Sequence, residues 1–91
     1  MIGSFRHEGL KELFRDGTTA KVDASLQQRI LPILDALDQA EKPEDMNVPG
    51  WNFHGLHGQP KRYTFHVNGP WCVTFEFADG TALRIDLEQY H

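Results

Sequence analysis

Four of the five histidines lie in the second half of the chain, at His54, His57, His66 and His91. An imidazole titrates near neutral pH, so these residues suit proton transfer and, once protonated, contact with an anionic ligand. His54 and His57 also invite a metal-binding interpretation, because zinc favours imidazole. A zinc site normally needs three or four convergent ligands, and Cys72 is the single cysteine of the chain. We therefore expect no metal ion and no other cofactor.

The last residues, Glu88-Gln89-Tyr90-His91, directly follow the final predicted strand. Beside a sheet, Tyr90 would offer a ring for stacking and His91 a group for proton transfer, although chain ends are usually frayed. Cys72 is a further candidate, as a nucleophile. No base and orienting residue of the cysteine-hydrolase type accompanies it, so a small residue within a strand is the favoured interpretation.

The composition is that of an ordinary globular chain, with 91 residues, 40% hydrophobic and 24% charged. This length predicts one domain, residues 1–91. No apolar run approaches the ~20 residues that cross a bilayer, and no secretory signal is visible. With one cysteine and no internal disulfide, the protein is expected in the cytoplasm, away from membranes. The net charge of −4 is unlike the basic surface of most nucleic-acid binders, but protonated histidines would make residues 51–91 locally cationic.

The first half of the chain predicts a strand and two helices. Residues 1–6 are expected to form a short strand, and the apolar spacing that follows predicts a short helix ending at Gly17. Ser25 and Gln28 have the spacing of a capping box, and apolar residues at helical spacing extend this second helix to about residue 41. Pro32 lies inside it and should kink or split the helix.

From Trp51 onward, apolar and polar residues alternate, which predicts an antiparallel sheet of three to four strands. Asn68-Gly69-Pro70 and Asp79-Gly80 are the breaks between strands. A three-residue loop at the first break keeps the apolar residues on one face. The pairs predicted across this break are Val67–Trp71, Phe65–Val73, His66–Cys72, Thr64–Thr74 and Arg62–Glu76. Those predicted across the second break are Glu76–Arg84 and Thr74–Asp86.

The fold class is therefore α+β: an N-terminal strand, two helices, and a curved antiparallel sheet with the helices on its apolar face. The polar side of the sheet, which we call the open face, carries an Arg62–Glu76–Arg84 ladder with His66 and Cys72. Most such faces are solvated surfaces whose cross-strand ion pairs contribute little each. The open face is nevertheless the first candidate for a binding site.

Four collinear segments resemble HigB-type toxins, also called plasmid-maintenance killer proteins, and together they cover essentially the whole chain. They are Met-Ile-x-Ser-Phe-Arg-His-x-Gly-Leu-Lys-x-Leu-Phe at residues 1–14, residues 43–51 followed by His54-x-Leu56-x-Gly58, Trp71-x-Val73-Thr74-Phe75-x-Phe77-x-Asp79-Gly80, and the terminal Tyr90-His91. These toxins belong to the RelE superfamily of type II toxin–antitoxin systems. The resemblance implies a RelE-like fold with the element order already predicted.

The resemblance also implies an activity: cleavage of messenger RNA on the translating ribosome. The implied partner is a helix-turn-helix antitoxin of the HigA type, and operator DNA is contacted only through that antitoxin. Attack by the RNA 2′-hydroxyl needs acid–base groups and a cation for the phosphate, but no metal ion. The site residues implied by the resemblance are His54 and His91 for acid–base work and Tyr90 to orient or stack on the RNA. We further expect His57, Lys61 and Arg62 to contact the phosphate, with Arg84, Cys72 and Gln89 also facing the RNA.

The chain departs from the family pattern at three of these positions. His57 stands where members commonly have lysine, Cys72 where they have arginine, and Gln89 where they have aspartate. A lost phosphate-binding cation costs about 100-fold to 1,000-fold in rate, and Arg62 or Arg84 is the candidate replacement. The favoured function is accordingly a weakened mRNA endoribonuclease. The alternative is a catalytically degenerate toxin homologue that acts as an antitoxin-binding or regulatory module.

Overall fold

The protein consists of two helices followed by a four-stranded antiparallel sheet, and the computed structural model describes residues 1–89. The helices are α1 (Glu8–Asp16) and α2 (Ala24–Gln39), and a short 3₁₀ helix, Pro43–Met46, leads into the sheet. The strands lie side by side in chain order: β1 (His54–Leu56), β2 (Arg62–Asn68), β3 (Trp71–Ala78) and β4 (Thr81–Gln89). The predicted α+β class is confirmed.

The helix ends follow local chemistry. Gly17 ends α1 in the left-handed conformation, with φ of 80°, and donates its N–H to the Leu13 carbonyl at 2.8 Å. The predicted capping box at Ser25 is wrong: the Asp23 carboxylate caps α2 by accepting the Ser25 N–H at 2.8 Å and the Ser25 hydroxyl at 2.7 Å. α2 continues through Pro32 to Gln39 as one helix, so the predicted split does not occur.

Residues 1–6 run parallel to β4 along its outer edge. They form isolated bridges, Ile2 with Ala82 and Phe5 with Ile85, so the predicted N-terminal strand is wrong in its extent. Arg84 lies between these two contacts with a positive φ of 49°, and this local change of backbone direction interrupts a regular ladder.

The first hairpin has the predicted register except next to its turn. Three predicted pairs are confirmed: Thr64–Thr74, Phe65–Val73 and His66–Cys72. The register then shifts, so that Trp71 pairs with Asn68, and the predicted pairing of Trp71 with Val67 is wrong. The bulge leaves Val67 buried in the core, while Gly69, with φ of 57°, allows a tighter turn than the predicted three-residue loop.

The second hairpin contains another bulge. Thr74 pairs with Asp86 as predicted, but Glu76 pairs with Leu83, so the predicted pairing of Glu76 with Arg84 is wrong. Arg84 is the additional residue on β4. One consequence is that the small Ala82 is fully buried while Leu83 lies opposite Glu76.

One side of the sheet is covered by both helices. Its fully buried side chains include Leu10 and Leu13 from α1, Ile30, Leu34 and Leu37 from α2, and Phe65, Val73, Phe75 and Ile85 from the sheet. Burying one such side chain stabilises the fold by about 1.5–3 kcal/mol. This packing holds the sheet against the helices and leaves the open face uncovered. Neither described helix has the length and apolarity to cross a membrane.

Candidate active site on the open face

Two rows of opposed side chains cross the open face. His54, Thr64, Thr74 and Asp86 form a row that spans all four strands, and His66, Cys72 and Glu88 form the row beside it. Directly opposed residues share a face, with Cβ atoms about 4.5–5.5 Å apart. The register therefore brings His54 and the polar centre of the sheet onto one surface.

His54 is fixed on this surface by its neighbours in the chain. Phe53 lies on the covered side, stacked on Tyr63 at 5.7 Å between ring centroids and packed against Phe65 at 5.3 Å. Because side chains alternate along a strand, the next residue, His54, projects from the open face. Its exposed ring contacts the Asn52 carbonyl through Nδ1 at 3.0 Å. A carbonyl oxygen only accepts, so Nδ1 carries the proton, and in the neutral form of the ring Nε2 is the acceptor.

Arg62 reaches across the centre of the open face. Its Nη2 donates to the Thr74 hydroxyl at 2.8 Å and forms an ion pair with Glu88, to which the Thr74 hydroxyl also donates. The predicted partner, Glu76, is instead bound by Arg84, with 2.9 Å between Nη1 and Oε1. The Glu76–Arg84 link of the predicted ladder is thus present as an ion pair, although the two residues are not directly opposed. The Arg62–Glu76 link is wrong, because the long Arg62 side chain extends diagonally to Glu88.

Thr64 lies between His54 and Thr74 in the first row and is 2% exposed. Its Oγ1 is the buried side-chain polar atom without a hydrogen-bond partner within residues 1–89. An unsatisfied buried hydroxyl costs about 1–3 kcal/mol relative to a paired one. The site therefore holds an unused hydrogen-bonding group next to the exposed imidazole.

Two other candidates lie at the margin of this surface. His57 is exposed in the loop between β1 and β2. Lys61 lies on the covered side, because its Nζ stands over the Tyr63 ring at 5.8 Å from the centroid and close to Gly55. Alternation thus separates Lys61 from its neighbour Arg62, whose guanidinium lies on the open face.

The candidates on β3 and β4, Cys72 and Gln89, lie on opposite sides of the sheet. Cys72 is half-buried on the open face, directly between His66 and Glu88. Gln89 pairs with Trp71, one residue out of phase with this row, and so lies on the other side of the strand. The predictions for Tyr90 and His91 lie outside the described residues.

Three polar residues of the site were missed by the sequence interpretation: Thr64, Thr74 and Glu88. Alternation had placed both threonines on the polar side but had assigned them no role. Glu88 was visible in the predicted register, since the pairing of Thr74 with Asp86 also sets Cys72 opposite Glu88. What the pattern could not give was the diagonal reach of Arg62.

The net charge of the open face disfavours the binding of an anion. The described side chains include two guanidiniums, Arg62 and Arg84, and three carboxylates, Glu76, Asp86 and Glu88, which sum to −1 before any histidine is protonated. Within residues 1–89, no three His, Cys, Asp or Glu side chains converge as a metal site would require. The arrangement offers an imidazole acceptor, hydroxyls and an ion-paired guanidinium, a set suited to proton transfer beside a phosphate.

Comparison with known proteins identifies the family. The chain is 38% identical over 92 residues to the endoribonuclease HigB of Proteus vulgaris, covering 100% of both chains. It is 26% identical over 93 residues to the toxin HigB-1 of Vibrio cholerae serotype O1 (strain ATCC 39315 / El Tor Inaba N16961), covering 99% of this chain and 98% of that one. The family model described as the RelE-like toxin of the type II toxin–antitoxin system HigB matches residues 3–91. The chain therefore belongs to the HigB-like toxins.

Proposed function

We propose that this protein is an endoribonuclease toxin that cleaves messenger RNA on the translating ribosome by metal-free acid–base chemistry at the 2′-hydroxyl. Its membership of a toxin–antitoxin family implies an antitoxin as partner, and we propose one of the HigA helix-turn-helix type. Operator DNA would be contacted only through that antitoxin, and the site of action would be the cytoplasm. The P. vulgaris relative, which is similar over its full length, is named an endoribonuclease.

The observation that carries the proposal is the position of His54. Its imidazole is exposed on the open face, with Nδ1 held by the Asn52 carbonyl and Nε2 left as an acceptor. A general base needs this arrangement: a fixed ring, an available lone pair and access to the substrate.

The reaction assigns distinct tasks to the two proposed histidines. His54 Nε2 takes the proton of the 2′-hydroxyl, and the 2′-oxygen attacks the adjacent phosphorus. The bond from phosphorus to the 5′-oxygen breaks, and His91, proposed from the family motif alone, returns a proton to that oxygen. Tyr90 is proposed on the same ground to hold the RNA by stacking. The products are a 2′,3′-cyclic phosphate and a 5′-hydroxyl, so atoms and protons balance without a co-reactant.

The second candidate function is that of a catalytically degenerate, antitoxin-binding module. The observation that favours it is the ion pairing of the open face: Arg62 is bound to Glu88 and Arg84 to Glu76. Both guanidiniums of the described open face are therefore already paired, and the uncharged Cys72 supplies no further cation for a phosphate.

Primer extension on a reporter mRNA, after induction of this protein alone, tests the proposed function. We expect new RNA 5′ ends within the translated region, and these should vanish when ribosomes are stalled before initiation. Unchanged mRNA with active ribosomes would contradict it. The Cys72→Arg variant then separates the two functions: a large gain of toxicity from an inert parent supports the degenerate module, and a toxic parent excludes it.

A further inference from the structure

The Arg62–Glu88 ion pair places a carboxylate against the guanidinium that lies over the centre of the open face. We propose that Glu88 is an internal competitor for the RNA phosphate, so that a phosphodiester of the bound RNA replaces its carboxylate on Arg62. This inference rests on the proposed function and adds to it the group that binds the phosphate and the group that holds it in check.

Arg62 has the donors that such an exchange requires. Both of its protein contacts use Nη2, one to Thr74 and one to Glu88. Its Nε and Nη1 make no hydrogen bond to residues 1–89, and its side chain is 32% exposed. A guanidinium binds carboxylate and phosphate oxygens with the same two-pronged geometry, so a phosphate group can take the place of the Glu88 carboxylate.

The threonines beside Arg62 point to a ligand at the same place. The Thr74 hydroxyl donates to Glu88, and it becomes available to another acceptor when that carboxylate leaves. Thr64 is only 2% exposed, and its Oγ1 has no hydrogen-bond partner in the described part of the chain. Thr64 lies directly opposite both Thr74 and His54, so a phosphate held here stands beside the proposed base.

Electrostatics explains why Glu88 acts as a competitor. With Glu88 charged, the described side chains of the open face sum to −1, and the Arg62 guanidinium is neutralised by its ion pair. Displacing the carboxylate exposes the Arg62 charge to the RNA on the open face. We therefore expect the Glu88 carboxylate to lower the affinity of the protein for free RNA.

Binding of a 2′-O-methyl RNA oligonucleotide, which cannot be cleaved at a 2′-hydroxyl, tests the exchange by fluorescence anisotropy at several salt concentrations. We expect Glu88→Gln to bind about threefold to fivefold more tightly than the wild type, because one partly exposed ion pair no longer competes. We expect Arg62→Ala to bind about tenfold to a hundredfold more weakly, with a salt slope smaller by about 0.7. In the double variant the gain from Glu88→Gln should vanish, since the carboxylate acts through Arg62.

The matched control is Asp16→Asn, which removes one carboxylate from another arginine pair, Arg15–Asp16, on α1. If Asp16→Asn tightens binding as much as Glu88→Gln, or if the gain persists without Arg62, net charge is the cause and the proposal is overturned. It is also overturned if Glu88→Gln binds no more tightly than the wild type at any salt concentration. Glu88→Asp keeps the negative charge and should bind RNA like the wild type. If Glu88→Asp binds as tightly as Glu88→Gln, disturbed folding at position 88 and not the lost charge is responsible, and the proposal is overturned. A wild type that fails to cleave mRNA contradicts the proposed function alone, because the anisotropy series does not depend on cleavage.

Discussion

Thr64 lies directly opposite His54 where β1 pairs with β2, and its hydroxyl is buried without a partner within the described residues. An exposed imidazole and an unsatisfied hydroxyl are therefore neighbours on the uncovered side of the sheet. A buried position normally holds a side chain without polar atoms, or one whose polar atoms are paired. The hydroxyl is thus a cost to the folded chain that a bound ligand can recover.

Thr64→Val should stabilise the free protein. Valine keeps the branched shape and removes the unsatisfied hydroxyl, so we expect the free energy of unfolding to rise by about 1 kcal/mol. For a domain of this size the melting temperature then rises by about 4–8 °C, which calorimetry measures. The same variant should bind 2′-O-methyl RNA more weakly than the wild type. A valine variant that melts at a lower temperature would show that the hydroxyl is satisfied in solution.

His54→Ala should abolish most cleavage without unfolding the protein. A positioned general base contributes about 100-fold to 10,000-fold, and the exposed His54 ring adds little to the core. Cleavage of reporter mRNA and the melting temperature should be measured together. His66→Ala is the matched control. His66, on β2, is likewise an exposed histidine of the open face, and its ring contacts a backbone carbonyl, that of Gly69, at 2.9 Å. Equal losses in both variants would argue against a specific role for His54.

Asp23→Asn should flatten the dependence of stability on acid pH. The hydroxyl and backbone N–H of Ser25 hold the pKa of Asp23 below its usual value of 3.8. Because the folded-state pKa is depressed, this cap contributes fully above the unfolded pKa and is lost as the pH falls through the lower folded value. An asparagine oxygen caps the helix without titrating. The melting temperatures of the two proteins should therefore differ more at pH 6 than at pH 2.5, and a constant difference would exclude this linkage.

Gly80→Ala should destabilise the turn between β3 and β4. Asp79 and Gly80 both have positive φ, 52° and 77°, as a tight hairpin turn of the primed type requires. A Cβ at Gly80 meets only the Glu41 carbonyl, at 3.9 Å, so the cost is backbone strain of about 1–2 kcal/mol rather than a clash. Chemical denaturation measures the loss. Asp79→Gly, which tolerates the same conformation, should change the stability by less than half as much.

The alternation of side chains was sufficient to predict the sheet, its two faces and most of its register. Thr64, Thr74 and Cys72 lie on the side that their spacing predicted, and the helices cover the other side. The two bulges were not predictable, because each adds one residue without changing the local pattern of polar and apolar types. At Arg84 in particular, no glycine marks the positive φ.

The candidate site was predicted only in part, for a related reason. His54 lies on the open face, whereas Lys61, the residue before β2, and Gln89 on β4 lie on the other side of the sheet. Which acidic partner Arg62 takes depends on the diagonal reach of a long side chain to Glu88. A pattern of spacing two does not encode that reach.

The chemistry of the cut RNA ends tests the central claim most directly, namely that this face cleaves RNA by activating its own 2′-hydroxyl. The measurement is mass spectrometry of the fragments formed on programmed ribosomes. We predict a 2′,3′-cyclic phosphate on the upstream fragment and a 5′-hydroxyl on the downstream one, with no cleavage when the nucleotide at the cut carries a 2′-deoxyribose. Fragments with a 5′-phosphate, or cleavage at the deoxyribose, would contradict the account.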